Sequence, residues 1–138
     1  MDWDARKAEH LSDEQTEGWL WTPAPGVIVT RARGVGSLNA IKWYTSRADR
    51  VMLGGRPLQS VFHDWADITS FDPEARSFLR TWAAQRGTML GEAHYLVSSK
   101  LLAMAVSAAA LALGRSLKAH TDPVAFEAAL DQRLAAAR

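Results

Sequence analysis

The chain contains no cysteine. Disulfides, thiolate metal sites and cysteine nucleophiles are therefore excluded, and the absence suits a reducing compartment. Charge imbalance is also missing: 16 basic residues against 15 acidic ones leave a net +1. A nucleic-acid binder normally carries a basic stripe, so nucleic acid is not expected as a partner. Long hydrophobic runs are absent as well. The most apolar stretch, 101–113, has thirteen residues with Ser107 inside it, whereas a membrane span needs about 20. It is expected to be a buried helix, and no membrane span is expected. Residues 1–18 are polar and mixed in charge. They lack the apolar core of a secretory leader, so a cytoplasmic location is expected.

The 138 residues that are present suit one domain. Residues 1–17 read as a tail or short helix, and 18–138 as the folded domain. Gly18-Trp19-Leu20-Trp21-Thr22 reads as a strand. Pro23-Ala24-Pro25-Gly26 reads as a turn, because proline fixes φ and glycine permits positive φ. Val27-Ile28-Val29-Thr30-Arg31-Ala32-Arg33 is rich in β-branched residues and completes a hairpin. A helix follows from about Leu38 to Leu53, with Leu38, Ile41, Tyr44, Ala48, Val51 and Met52 on one stripe. Gly54-Gly55 ends it.

Residues 59–64 form the next expected strand, and a loop follows it as far as Asp72. Asp72-Pro73 supplies an N-cap and a proline at the first helical position. The helix it opens carries Ala75, Phe78, Leu79, Trp82 and Ala83 on one face. Residues 93–97 read as a strand, Ser98 or Ser99 caps the apolar helix 100–113, and Leu117 to His120 is a last short strand. Asp122-Pro123 opens a final helix with Phe126, Ala129, Leu130 and Leu134 on one side. Strands alternating with helices imply parallel crossovers. The predicted class is α/β: a mixed, mostly parallel sheet with an N-terminal antiparallel hairpin strand and four helices mainly on one face. Trp19 and Trp21 alternate with Leu20, which places both on the opposite, partly open face as a candidate homodimer surface.

The element order and several local runs resemble the STAS family, the fold of bacterial anti-sigma-factor antagonists, and most of all its divergent bacterial STAS/SEC14-like members. The carrying segments are Val61-Phe62-His63-Asp64-Trp65-Ala66-Asp67-Ile68-Thr69-Ser70-Phe71-Asp72 with the helix after it, and Leu96-Val97-Ser98-Ser99-Lys100 with the small-residue helix that follows. The resemblance implies a STAS-like domain over residues 18–138 that regulates by binding a protein, a regulator or a kinase-like partner. In phosphorylatable members an aspartate precedes the serine that opens the helix. Here Asp72 matches the aspartate, and Pro73 and Glu74 stand at the serine positions. The phosphoacceptor is thereby replaced by a fixed charge, which a helix N-terminus tolerates well. The expected docking surface is Asp67, Thr69, Ser70, Asp72, Glu74, Arg76 and Ser77. The alternative is a carrier or sensor of a small apolar, lipid-like ligand held between helix 100–113 and the sheet.

Other constellations weigh less. His63 and Asp64 are neighbours on a strand and so point to opposite faces, which argues against a shared metal ion. Asp64, Asp67 and Asp72 cluster near one strand end, where turn and cap roles compete with partner or cation binding. Ser98 and Ser99 with His94 lack a nucleophile elbow and read as caps. Gly34-Val35-Gly36-Ser37 has Asn39 where a dinucleotide fingerprint needs its third glycine, so it reads as a tight turn with Ser37 as cap. No enzymatic activity and no cofactor are expected.

Overall fold

The computed structural model describes residues 5–100, 102–104 and 116–137. Six strands form one sheet in the spatial order β1-β2-β3-β4-β5-β6. They are β1 Glu9–Ser12, β2 Thr16–Ala24, β3 Val27–Gly36, β4 Leu58–Phe71, β5 Leu90–Leu96 and β6 Leu117–His120. The first three pair antiparallel, and β3 through β6 pair parallel. Three α-helices are described along their length, α1 Leu38–Val51, α2 Pro73–Arg86 and α3 Pro123–Ala136, and residues 100 and 102–104 are helical as well. The mixed α/β sheet with its antiparallel entry is thus the one the sequence predicts.

Local chemistry accounts for the boundaries. Pro25 and Gly26 join β2 to β3, with Gly26 at φ 73°. Ser37 caps α1 by accepting the Ala40 N–H at 3.1 Å. Asp122 caps α3 by accepting the Val124 N–H at 3.0 Å. Asp72 occupies the N-cap position of α2, but its side chain makes no capping bond. Pro73 has no N–H to offer, and the preset proline φ starts the helix instead. Ser99 accepts the Leu102 N–H at 3.2 Å, as expected of a cap. Beyond Met104 the expected helix over 100–113 lies outside the described residues.

Two segments differ from the sequence reading. Within 1–17, where a tail or short helix was expected, Glu9–Ser12 pairs with β2 as an edge strand. Its register sets His10 against Trp19 and Leu11 against Gly18. Four polar-rich residues carry too little periodicity to announce a strand; the partner strand supplies the order. The second difference concerns 65–71, expected as a loop. It continues β4, held by β3 through Arg33–Asp67, Gly34–Ile68 and Gly36–Phe71. Pairing of β4 with β5 ends at Asp64–Leu96, so the last seven residues of β4 project beyond that neighbour.

The sheet has two differently covered faces. Leu20, Ile28, Leu58 and Val61 pack with Tyr44, Ala48 and Met52 from the α1 segment and Trp82 and Ala83 from α2. Val27, Val29, Phe62 and Leu96 pack with Phe126 and Leu130 of α3 on the other side. Consecutive β3 residues therefore serve opposite layers, as strand pleating requires. Asp49 ties the two helices of the first layer together. It accepts from Arg86 Nη2 at 2.8 Å, Arg86 Nε at 3.0 Å and Trp82 Nε1 at 3.0 Å.

Gly34 and Gly36 show why the β3–α1 turn admits nothing larger. Gly34 has φ 98°, and a Cβ there would be driven into the Gln15 carbonyl. A Cβ on Gly36 would enter the Phe71 ring. The pair serves close packing of the β2–β3–β4 end. By contrast, Gly54 has φ 78° with open space around it. Gly34→Ala is therefore expected to lose on the order of 3 kcal/mol, combining backbone strain with a steric shift. Gly54→Ala should lose only about 1 kcal/mol. Urea denaturation of both variants checks the ranking, and equal losses would contradict it.

Candidate functional site

One row of the sheet organises the site. Leu20 stands beside Thr30, Thr30 beside His63, His63 beside Tyr95 and Tyr95 beside Ala119. Residues in such a row share a face. It is the face covered by α1 and α2. His63 lies at its centre, only 2 % exposed. Its Nδ1 is 2.7 Å from Thr30 Oγ1, which also accepts from Trp65 Nε1 at 3.2 Å. Tyr44, Trp65 and Tyr95 surround the imidazole, with ring centroids 4.9, 4.4 and 4.9 Å away. Burial pushes the His63 pKa down to about 3, so the ring is neutral at physiological pH.

A cavity of about 340 Å³ opens beside this cluster. Its floor is the sheet, through Val61, His63, Trp65, Ala93 and Tyr95. Leu79, Trp82 and Ala83 of α2 form one wall, and Leu102 and Leu117 contribute on the far side. Thr69, Ser70, Arg76 and Arg80 also line it and are exposed, so they mark the mouth. A volume of this size falls in the range of small-molecule sites, which are mostly apolar with few polar groups. A second void of about 40 Å³ shares Tyr44, Trp65, Ile68 and Phe71 with the first.

The opposite face of the sheet holds further polar contacts. Asp64 pairs with Arg31 at 3.1 Å, on the side away from His63. His63 and Asp64 therefore do not converge. His94 stacks on Phe62 and contacts Glu92 through Nε2 at 3.3 Å and His120 through Nδ1 at 3.0 Å. A carboxylate only accepts, so neutral His94 donates from Nε2, and its Nδ1 then accepts from His120. The bond from His94 holds Glu92 below the usual carboxylate range, with Lys118 and Arg133 adding to it. Burial lowers the pKa of His94 against the opposing pull of Glu92, and burial lowers that of His120, with His94 and Lys118 acting in the same sense.

The residues expected to dock a partner come together at the end of β4 and the start of α2. Asp67, Thr69 and Ser70 are exposed on the strand rather than in a loop, and Glu74, Arg76 and Ser77 are exposed on the first turns of the helix. Asp72 is half-buried between them. Thr69 donates to the Gly34 carbonyl at 3.1 Å. Trp19 and Trp21 do lie on the face opposite α1 and α2. Trp21 packs beside the α3 layer, while Trp19 is half-buried against His10, stacked at 5.3 Å, and under the Arg33 guanidinium at 5.5 Å. Arg33 is in turn paired with Glu17. The sequence reading expected an apolar ligand between helix 100–113 and the sheet, but neither a cavity walled by α2 nor the aromatic cluster around His63. The signal available was Trp65 two residues after His63 on one strand, with Tyr95 in the next.

A crystal structure of an uncharacterised protein from the DUF3478 family of Shewanella loihica, described as having a SpoIIAA-like fold, superposes with a TM-score of 0.64. The alignment covers 91 % of this chain and 90 % of that one, at 13 % sequence identity. The fold is SpoIIAA-like. That is the STAS-like architecture the sequence resemblance implies, and at this identity the likeness speaks for fold alone. No protein-family model matches the chain, and no curated protein matches it. No helix among the described residues is long and apolar enough to cross a membrane.

The buried histidines make stability depend on acid. Unfolded, His63 titrates near 6.5; folded, near 3. The unfolded chain takes up the proton first as pH falls. The stabilisation is complete above about pH 6.5 and is lost as pH drops toward about 3. His94 and His120, both lowered, add in the same direction. Asp13, Glu17 and Glu92 are also lowered, but they act only below their ordinary values of 3.8 and 4.5. The urea midpoint is therefore expected to fall already between about pH 6.5 and pH 5, where only the histidines titrate. The variant His63→Gln should flatten that slope. A midpoint constant across this window in the parent chain would refute the assignment.

Proposed function

We propose that this SpoIIAA-like chain is a non-enzymatic binding module that holds a small apolar ligand in the cavity between α2 and the sheet. The observation that carries this reading is the cavity itself. It has a ligand-sized volume, aromatic and aliphatic walls and a polar mouth. The sequence expectation put an apolar ligand between helix 100–113 and the sheet; the cavity proposed here has α2 and Leu102 among its described walls. The side chains that a serine–histidine arrangement would draw on already have structural tasks. Ser99 caps a helical turn, His63 is buried and neutral, and His94 is engaged by His120 and Glu92. This leaves binding as the chemistry best supported.

Native mass spectrometry of protein purified from its own host tests the reading. The expected spectrum shows an adduct that organic extraction removes. Ala93→Leu projects extra bulk from β5 into the cavity and should abolish the adduct while leaving thermal stability unchanged or higher. A clean protein mass, together with no uptake of a solvatochromic apolar dye, would sink the proposal.

A second reading concerns the rim. Asp67, Thr69, Ser70, Glu74, Arg76 and Ser77 are exposed at the end of β4 and the start of α2. We propose that it docks a protein partner, with Glu74 as a fixed negative charge near the α2 N-terminus. Charge reversal by Glu74→Arg, and separately Arg76→Glu, should weaken capture of a partner recovered from host lysate by about ten-fold, with the larger part in the association rate. Undiminished capture by both variants would remove this surface from the interaction.

A further inference from the structure

The mouth of the cavity carries a charge pattern that its apolar interior does not need. Arg76 and Arg80 stand one helical turn apart on α2, so both project from the same side. Both line the cavity and both are exposed. Neither makes an ion pair with a described residue, whereas Arg31, Arg33, Arg47, Arg50 and Arg86 each have a carboxylate. Among the described lining residues the one carboxylate, Glu92, is already taken by His94 and Lys118. The entrance is therefore net positive, while the interior beyond it is aromatic and aliphatic. Thr69 and Ser70 add hydroxyls on the facing side.

From this arrangement we infer that the ligand is a single-chain amphiphile with an anionic head, whose tail fills the cavity and whose head is held by Arg76 and Arg80. The inference rests on the binding reading above and names the ligand class of that site. Guanidinium groups bind carboxylate and phosphate through paired N–H donors, so either head satisfies the chemistry. Trp65 lies in the wall shared with the smaller void and is held by its bond to Thr30.

Intrinsic fluorescence offers a direct readout, since Trp65 and Trp82 line the site. The full chain is titrated with decanol, decanoate and decyl phosphate, each below its micelle threshold. The double variant Arg76→Gln/Arg80→Gln is titrated in parallel, with circular dichroism to confirm its fold. At least one anion is expected to bind about ten-fold or more tightly than decanol, and the advantage should vanish in the double variant. It should also shrink as salt is raised, because the mouth is exposed. Preference for decanoate alone identifies a carboxylate head, and for decyl phosphate alone a phosphate head. Equal binding of alcohol and anions, or an advantage that survives the double variant, overturns the anionic head and leaves the apolar cavity standing. Binding of none of the three overturns both, and would mean that the chain's own residues close the space.

Discussion

The hydrogen bond between His63 and Thr30 is the constraint on which the architecture turns. His63 lies near the middle of β4, with β3 on one side and β5 on the other. An aliphatic residue there would fill space, but it would leave the Thr30 hydroxyl with one fewer partner. A charged residue would bring an uncompensated ion into the layer beneath α1 and α2. A neutral imidazole does neither. Its nitrogen meets Thr30, Thr30 meets the Trp65 indole, and the ring faces contact Tyr44 and Tyr95. One polar bond thereby fixes three aromatic side chains, and these give the cavity a rigid floor. An unsatisfied donor at this depth would cost about 1–3 kcal/mol, enough to select one arrangement over looser ones.

The pleat of β4 separates two kinds of chemistry. Toward α1 and α2 it presents Val61, His63 and Trp65; toward α3 it presents Ser60, Phe62 and Asp64. The α3 side is tied by directed polar contacts, such as Arg133 to Ser60 at 2.6 Å and Arg31 to Asp64 at 3.1 Å. Its aromatic rings stack in register, from Phe62 through His94 to His120. On the other side, the cavity lies between α2 and the sheet among the described residues. Division of labour between the faces follows from side-chain alternation along a single strand.

Much of this was legible in the residue order. The stripe Ile41, Tyr44, Ala48 and Met52 is buried as its spacing predicts, and Phe126 and Leu130 anchor the last helix. Ser37, Ser99 and Asp122 cap where their types suggest. Gly34 and Gly36 serve a tight turn rather than a phosphate. Other features were hidden because they depend on partners distant in sequence. The edge strand Glu9–Ser12 exists by pairing with β2, and the extension of β4 to Phe71 exists by pairing with β3. Asp72 has the residue type of a cap without the bond. The cavity was the least visible feature of all. It is a volume left between α2 and β5, and no periodicity encodes where side chains fail to meet.

The geometry also links the two proposed activities. Thr69, Ser70 and Arg76 belong both to the cavity mouth and to the rim offered to a partner. A ligand head drawn to Arg76 would compensate a cation on the same surface that carries Glu74 and Asp67. The rim would then present a more acidic face than the empty site does. If a partner reads that face, ligand and partner affinities are coupled, and the coupling must be reciprocal. A fixed Glu74 fits such a scheme. With Pro73 and Glu74 opening the helix, the variable charge would come from the occupant of the cavity.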